Sequence, residues 1–203
     1  MNFNRSGDLT SPSRIIRSWF QRARGQVDAP PSEAFEPFIY AWISFNAWAE
    51  CITEIETDAQ WIEALASSDR LAFSFSDALV RDQRFRAAAE EFRRLWPIPK
   101  ATDLRRRAAW APADESWADT ASRYIQRGVH FEPFCSGQHA AGHESEIPLD
   151  WWHFLRAVYR VRCNLFHGGK SVYSVGDQQV VRAALRGLVI FLGNLDVFPD
   201  SNA

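Results

Sequence analysis

The sequence predicts an all-α protein: a single helical bundle over residues 1–203 with an irregular insertion at about residues 100–148. Apolar residues recur at steps of three and four along most of the chain, and no alternating strand pattern interrupts them. Capping and stop residues fall where these periods begin and end. A length of 203 residues suits one sizeable core rather than several, and no internal repeat is visible.

The first helix is expected from Ser13 to about Arg24, where Ile15, Ile16, Trp19 and Phe20 share a face among Arg14, Arg17, Arg22 and Arg24. After the breaker GQVDAPPS, Ser32 with Glu33 and Glu36 marks a new start. The run FEPFIYAWISFNAWAECITEIE is then apolar nearly all round, as a central buried helix requires. Its Asn46, set among Phe45, Ala47 and Trp48, is either a structural hydrogen-bonding node or part of a site.

Asp58 to Ser67 reads as a short helix around Trp61, Ile62 and Leu65. Asp69 reads as the cap of a long one reaching Trp96 and ended by Pro97 and Pro99. Its Arg81, Arg84, Arg86, Arg93 and Arg94 alternate with acids, the pattern of a solvated face or of an RNA guide. Between Lys100 and Pro148 the period weakens, with Arg105 to Arg107 in succession and one short helix expected near Ala118 to Arg127. Helix returns from Leu149 to Phe166, capped by Asp150 and stopped by Gly168 and Gly169. A final apolar helix is expected from Asp177 to Pro199.

Composition bounds the function. Lys plus Arg total 23 against 25 Asp plus Glu, a net charge of -2, which excludes a histone-like basic surface and confines any nucleic-acid contact to a local patch. Only Lys100 and Lys170 are lysines, so arginine, whose planar fork suits phosphate, supplies nearly all the cations. No apolar run approaches the roughly 20 residues of a membrane span, and the start MNFNRSGDLTSPSR lacks the apolar stretch of a secretory signal. The expectation is a cytoplasmic chain with no membrane partner. Cys51, Cys135 and Cys163 are odd in number and far apart, as in a reducing compartment. Nine Trp and fifteen Phe imply a core of large flat side chains, some of it available to a subunit interface.

Chemistry concentrates in YRVRCNLFHGGK, Tyr159 to Lys170. Leu155, Val158, Tyr159, Arg162 and Phe166 share one helical face, which puts a guanidinium inside an apolar stripe. A group that cannot lose its proton needs an acidic partner, a bound anion or a wet seam with another subunit. On a continuous helix His167 would point about 140° away from Arg162, but the Gly168-Gly169 stop releases it. Arg and His at one phosphate suit metal-free RNA cleavage: imidazole moves the 2′-hydroxyl or leaving-group proton, and guanidinium neutralises the pentacovalent phosphorus. Asn164 is placed to orient the imidazole or a phosphate oxygen. The opposing reading is a structural ion pair and a helix-end histidine favoured by the dipole. Spacing alone does not choose. Three Arg–His pairs with four to six intervening residues occur, Arg162/His167, Arg160/His167 and Arg123/His130, and chance alone supplies about one or two in so arginine-rich a chain with 5 His, so the spacing carries little weight by itself. Arg160, about 200° around the helix from Arg162, is expected to face solvent and guide phosphate, with Lys170 as a second RNA contact.

The segment RCNLFHGGK, between an aromatic-rich helix and a last apolar one, resembles the HEPN superfamily, helical-bundle proteins marked by an Arg, four to six residues and a His. The earlier FIYAWISFNAWAE, with its aromatic-Asn-Ala centre, is similar to a second recurring feature of bacterial HEPN proteins. The resemblance covers two separated helices and, through the final helix, about half the chain, leaving out Lys100 to Pro148. It implies that Arg162 and His167 are catalytic, with Asn164 matching the second Asn of the commoner motif. It further implies that two protomers pair so that both Arg-His sets line one cleft, giving a cofactor-free, metal-independent endoribonuclease used in toxin, phage-defence or stress roles. An antitoxin or other partner protein accompanies some members, and others have lost catalysis and only bind RNA or partners. Cys163 departs from the polar residue, often Asn, that usually follows the Arg. Gly169 stands where members paired with nucleotidyltransferase antitoxins carry Tyr, so regulation through that Tyr is not implied.

One rival constellation is Cys135, His139 and His143 with Glu144 and Glu146, which offers zinc ligands in a zinc-stabilised interaction domain. Its spacings of four in the loop SGQHAAGHE fit a solvated loop better. Cys163 has no evident relay except His167 and is not expected to be a nucleophile.

Overall fold

A computed structural model describes residues 14–107, 123–133 and 147–195. They form an all-α bundle of α1 (Arg14–Arg24), α2 (Phe35–Thr53), α3 (Asp58–Ala66), α4 (Asp69–Arg81), α5 (Gln83–Arg93), α6 (Ala101–Arg107), α7 (Trp151–Phe166) and α8 (Val175–Asn194). A short antiparallel pair, β1 (Ile98–Pro99) with β2 (Phe131–Glu132), is set beside them with Ile98 opposite Glu132 and Pro99 opposite Phe131. That pair corrects the expectation of no strand. Two residues per strand are too few to leave an alternating signature.

Helix α2 is the central element, packed on α1, α3 and α8, and its Phe38, Ala41, Trp42, Phe45 and Trp48 are buried. Asn46 is no buried node. It lies at the helix surface and donates to the exposed Glu50 carboxylate, 2.8 Å away. The buried polar group of α2 is Ser44, whose hydroxyl donates toward the Tyr40 carbonyl at 3.0 Å and the Ile16 carbonyl at 3.3 Å, tying α2 to α1. The start assigned to Ser32 is a 3-10 turn over Pro31–Glu33, and α2 begins after Ala34.

The long helix expected from Asp69 to Trp96 is two helices. Ser68 caps the first by accepting from the Leu71 N–H, and Asp82 caps the second through the N–H groups of Arg84 and Phe85. Phe75, Ala78, Phe85, Ala88, Ala89 and Phe92 all face the core across the break, so helical periodicity runs through it undisturbed. They meet α7 and α8 in an aromatic cluster in which Phe75 touches Phe85, Trp151, Phe154 and Phe191 at ring-centroid distances of 5.1–6.0 Å. Gly187 lets that cluster close, because a Cβ there would stand 2.8 Å from the Phe154 ring. Trp151 anchors α7 by donating its indole N–H to the Leu65 carbonyl at 2.6 Å.

Five tryptophans, Trp42, Trp48, Trp61, Trp96 and Trp151, are buried within the one chain, so the aromatic content by itself does not call for a subunit seam. The last helix starts two residues before Asp177, at Val175, with Ser174 as its cap. Its described part ends at Asn194, and Pro199 lies outside the described residues. Among the described residues no helix is long and apolar enough to cross a membrane.

Candidate active site

Helix α7 carries the site. Asp150 caps its start by accepting from the His153 N–H at 2.9 Å, as expected. Its end is a Schellman stop. The Gly168 N–H donates to the Leu165 carbonyl at 3.1 Å and the Gly169 N–H to the Asn164 carbonyl at 2.6 Å. Gly168 holds φ +64°, a conformation that favours glycine. At Gly169 the requirement is space, since a Cβ would stand 2.3 Å from the Cβ of Ala101. His167 is therefore the C-cap residue just past the helix, at φ −93° and ψ 18°, and its side chain is exposed.

Arg162 finds the first of the three partners its position demands. Its Nη2 lies 2.7 Å from Oδ2 of Asp58, the first residue of α3, and its side chain is 21% exposed. The guanidinium also rests against three rings, 5.5 Å from the centroid of Trp42, 6.0 Å from Tyr159 and 5.0 Å from Phe166. Its Nε is buried without a hydrogen-bond partner among the described residues. Burial first, then the Cys163 thiol and the Asp58 carboxylate, push the neighbouring Tyr159 phenol up to about 12, against the opposing pull of Arg162. Asp58 was missed in the sequence because nothing local links the start of α3 to the end of α7.

Asn164 does not have a free amide to offer. It is 4% exposed, accepts from the Ala101 N–H at 3.0 Å and donates to the Pro99 carbonyl at 2.8 Å, joining α7 to the end of β1 and the start of α6. The solvent-facing role expected of Arg160 is corrected as well: its side chain is 14% exposed and lies 3.7 Å from Glu132 of β2. Arg156 pairs with the same carboxylate at 3.0 Å and with Glu63 at 2.9 Å, its cation stacked on Trp152. Lys170 is nearly buried and pairs with Asp177 at 2.6 Å. In the third Arg–His pair, His130 hydrogen-bonds through Nδ1 to the buried carboxylate of Asp103.

The insertion is thus ordered in its described parts: α6, the strand pair and a small cluster of Val129 and Phe131 with Leu104 and Tyr124. Residues 123–126 are helical, matching the later part of the helix expected there. Cys135, His139, His143, Glu144 and Glu146 lie outside the described residues, and among those described no group of three or more potential ligands is placed to hold a metal.

Next to the stop is an apolar surface. Phe166 and Val172 are about half exposed, Val175 is 66% exposed and Tyr173 is 91% exposed. No protein-family model, curated protein or solved structure matches the chain. The fold and the end of α7 together define an all-α protein in which an exposed histidine follows, one residue on, an aromatic shelf that carries an arginine.

Proposed function

We propose that this chain is a HEPN-type endoribonuclease that cleaves RNA without a metal, using Arg162 and His167 from two protomers across one cleft. The observation that carries the reading is the end of α7, where rings and Asp58 fix a guanidinium over the last turn and the Schellman stop leaves an imidazole at the surface. In the proposed reaction His167 takes the proton of the 2′-hydroxyl as it attacks the adjacent phosphorus, or returns one to the departing 5′-oxygen. Arg162 faces the charge that gathers on the pentacovalent phosphorus. Asn164 acts as a positioning residue, holding the last turn against residues 99–101. The exposed Phe166, Val172, Tyr173 and Val175 support a homodimer, since apolar side chains clustered in sequence beside a site suit a partner surface. The reading carries with it a cytoplasmic location and a toxin, phage-defence or stress role, with an antitoxin or partner protein as regulator.

The test is RNA incubated with the purified chain in EDTA. Cleavage that persists and leaves 5′-hydroxyl and cyclic-phosphate ends supports the proposal, whereas a need for added metal, or 5′-phosphate ends, refutes it. A strictly monomeric mass at micromolar concentration removes the composite site. A catalytically silent module that binds RNA or a partner protein is the second reading, favoured by the Asp58 carboxylate already neutralising Arg162.

A further inference from the structure

The arginines late in α7 and the lysine that follows it are all engaged within the chain. Arg156 faces Glu63 and Glu132, Arg160 faces Glu132, Arg162 faces Asp58 and Lys170 faces Asp177. Four cations thus meet four carboxylates, and a phosphodiester approaching His167 finds no net positive charge from this set. The pairs are not alike. Glu132 is shared by two arginines and anchors β2, so opening it undoes the docking of a strand. Asp177 binds Lys170 and also accepts the Ser171 N–H, so it closes the turn into α8. Among the described residues Asp58 forms an ion pair with Arg162 alone, and the guanidinium also rests against the rings of Trp42, Tyr159 and Phe166.

We propose that Arg162 on its aromatic shelf is an anion subsite whose resting occupant is the chain's own Asp58 carboxylate, and that an RNA phosphate binds by displacing it. Asp58 is then an internal mask, which keeps the site neutral until a polyanion with several phosphates competes. The arginine itself need not travel: the carboxylate leaves, the shelf stays, and Nη2 exchanges one oxygen anion for another. The proposal rests on the ribonuclease reading for its substrate class, and its test is made independent of cleavage.

A 2′-O-methyl oligouridylate, which has no 2′-hydroxyl to attack, is titrated into the wild-type chain, Asp58→Asn, Arg162→Gln and the double variant across a range of salt. Asp58→Asn should bind about fivefold more tightly at low salt, the size of one partly exposed ion pair removed from competition. Its log–log salt slope should steepen by about 0.7, one further phosphate contact on a single strand. Both gains should vanish in the double variant, while Arg162→Gln alone, which removes the subsite and leaves the Asp58 carboxylate unpaired, should bind more weakly than the wild type. Unchanged or weaker binding by a folded Asp58→Asn, or a gain that survives loss of Arg162, overturns the proposal. Asp58→Ser, suited to a helix start, provides the comparison if Asn does not fold, and failure of both to fold makes the pair structural and ends the idea. A wild type that does not cleave RNA, beside an Asp58→Asn gain that depends on Arg162, refutes the ribonuclease reading and leaves the mask. A cleaving wild type with no such gain does the reverse.

Discussion

Asn164 separates a structural from a chemical role most directly. Its side chain accepts from the Ala101 N–H at 3.0 Å and donates to the Pro99 carbonyl at 2.8 Å, in a place 4% exposed to solvent. Asn164→Ala leaves the Ala101 N–H, on a residue only 8% exposed, without its partner, a loss of about 1–3 kcal/mol. The second bond adds about 0.5–1.5 kcal/mol, and the Gly169 N–H is unaffected because it bonds the Asn164 backbone carbonyl. A total of about 2–4 kcal/mol lowers Tm by about 5–15 °C in a chain of this length. Asn164→Asp keeps the acceptor for Ala101 but turns an oxygen toward the Pro99 carbonyl, so it should be no better than Ala. Thermal unfolding by circular dichroism reads the magnitude, and hydrogen exchange at the Ala101 amide reads the place. An Asn164→Ala variant that melts within about 1 °C of the wild type yet loses RNA cleavage would refute this reasoning and return Asn164 to the reacting groups.

His167→Ala should abolish cleavage while shifting stability by less than about 1 kcal/mol, as an exposed helix-end residue does; retained cleavage in a product assay removes the assignment. Arg160→Ala should cost about 1 kcal/mol in chemical denaturation and leave the salt slope of RNA binding unchanged, because the side chain serves Glu132 rather than solvent. For Asp103, burial pushes the pKa up, but hydrogen bonds from the His130 ring and N–H, with Lys100 nearby, outweigh it and hold the pKa below the ordinary value of about 3.9. A depressed folded pKa gives stability that is present above about pH 3.9 and lost as pH falls through the lower folded value. Exchange of amides near residues 100–104 and 129–132 should therefore accelerate below about pH 4 in the wild type, and Asp103→Asn should lose that pH dependence. Finally, mixed Arg162→Ala and His167→Ala protomers should regain part of the cleavage that each lacks alone, because a mixed pair holds one arginine and one histidine in its cleft; no recovery under exchange conditions counts against the composite site.

What the sequence disclosed was what short-range physics sets. The helical class follows from apolar spacing, and the Asp150 cap and the Gly168-Gly169 stop are bonds closed within a few residues. Asp82 shows the limit of the first signal: its cap breaks a helix whose two halves bury one continuous apolar face, so periodicity carries no mark of the break. The buried setting of Arg162 was also legible, because an arginine between Val158, Tyr159 and Phe166 on one face has to be enclosed. Its partner was not. Asp58, Glu132 and the Pro99–Ala101 backbone reach α7 from distant stretches of chain, 65 residues away for Pro99 and further still for Asp58, and no local pattern encodes such a meeting.

Those distant meetings change how the segment after α5 relates to the site. Arg156 and Arg160, one turn apart, both reach Glu132 on β2, and Asn164, one turn further, holds Pro99 and Ala101 beside β1. Three successive turns of α7 are thus fastened to the strand pair on one side, while Phe154, Val158 and Val161 fasten the helix to the core on another. Arg162 lies on the remaining flank, facing Asp58 and the rings of Trp42 and Phe166. The helix is held on every side up to Leu165 and released at Phe166 and His167, where exposure begins. In the proposed reaction His167 gains from this arrangement, because the backbone that aims it is fixed while the ring itself stays exposed.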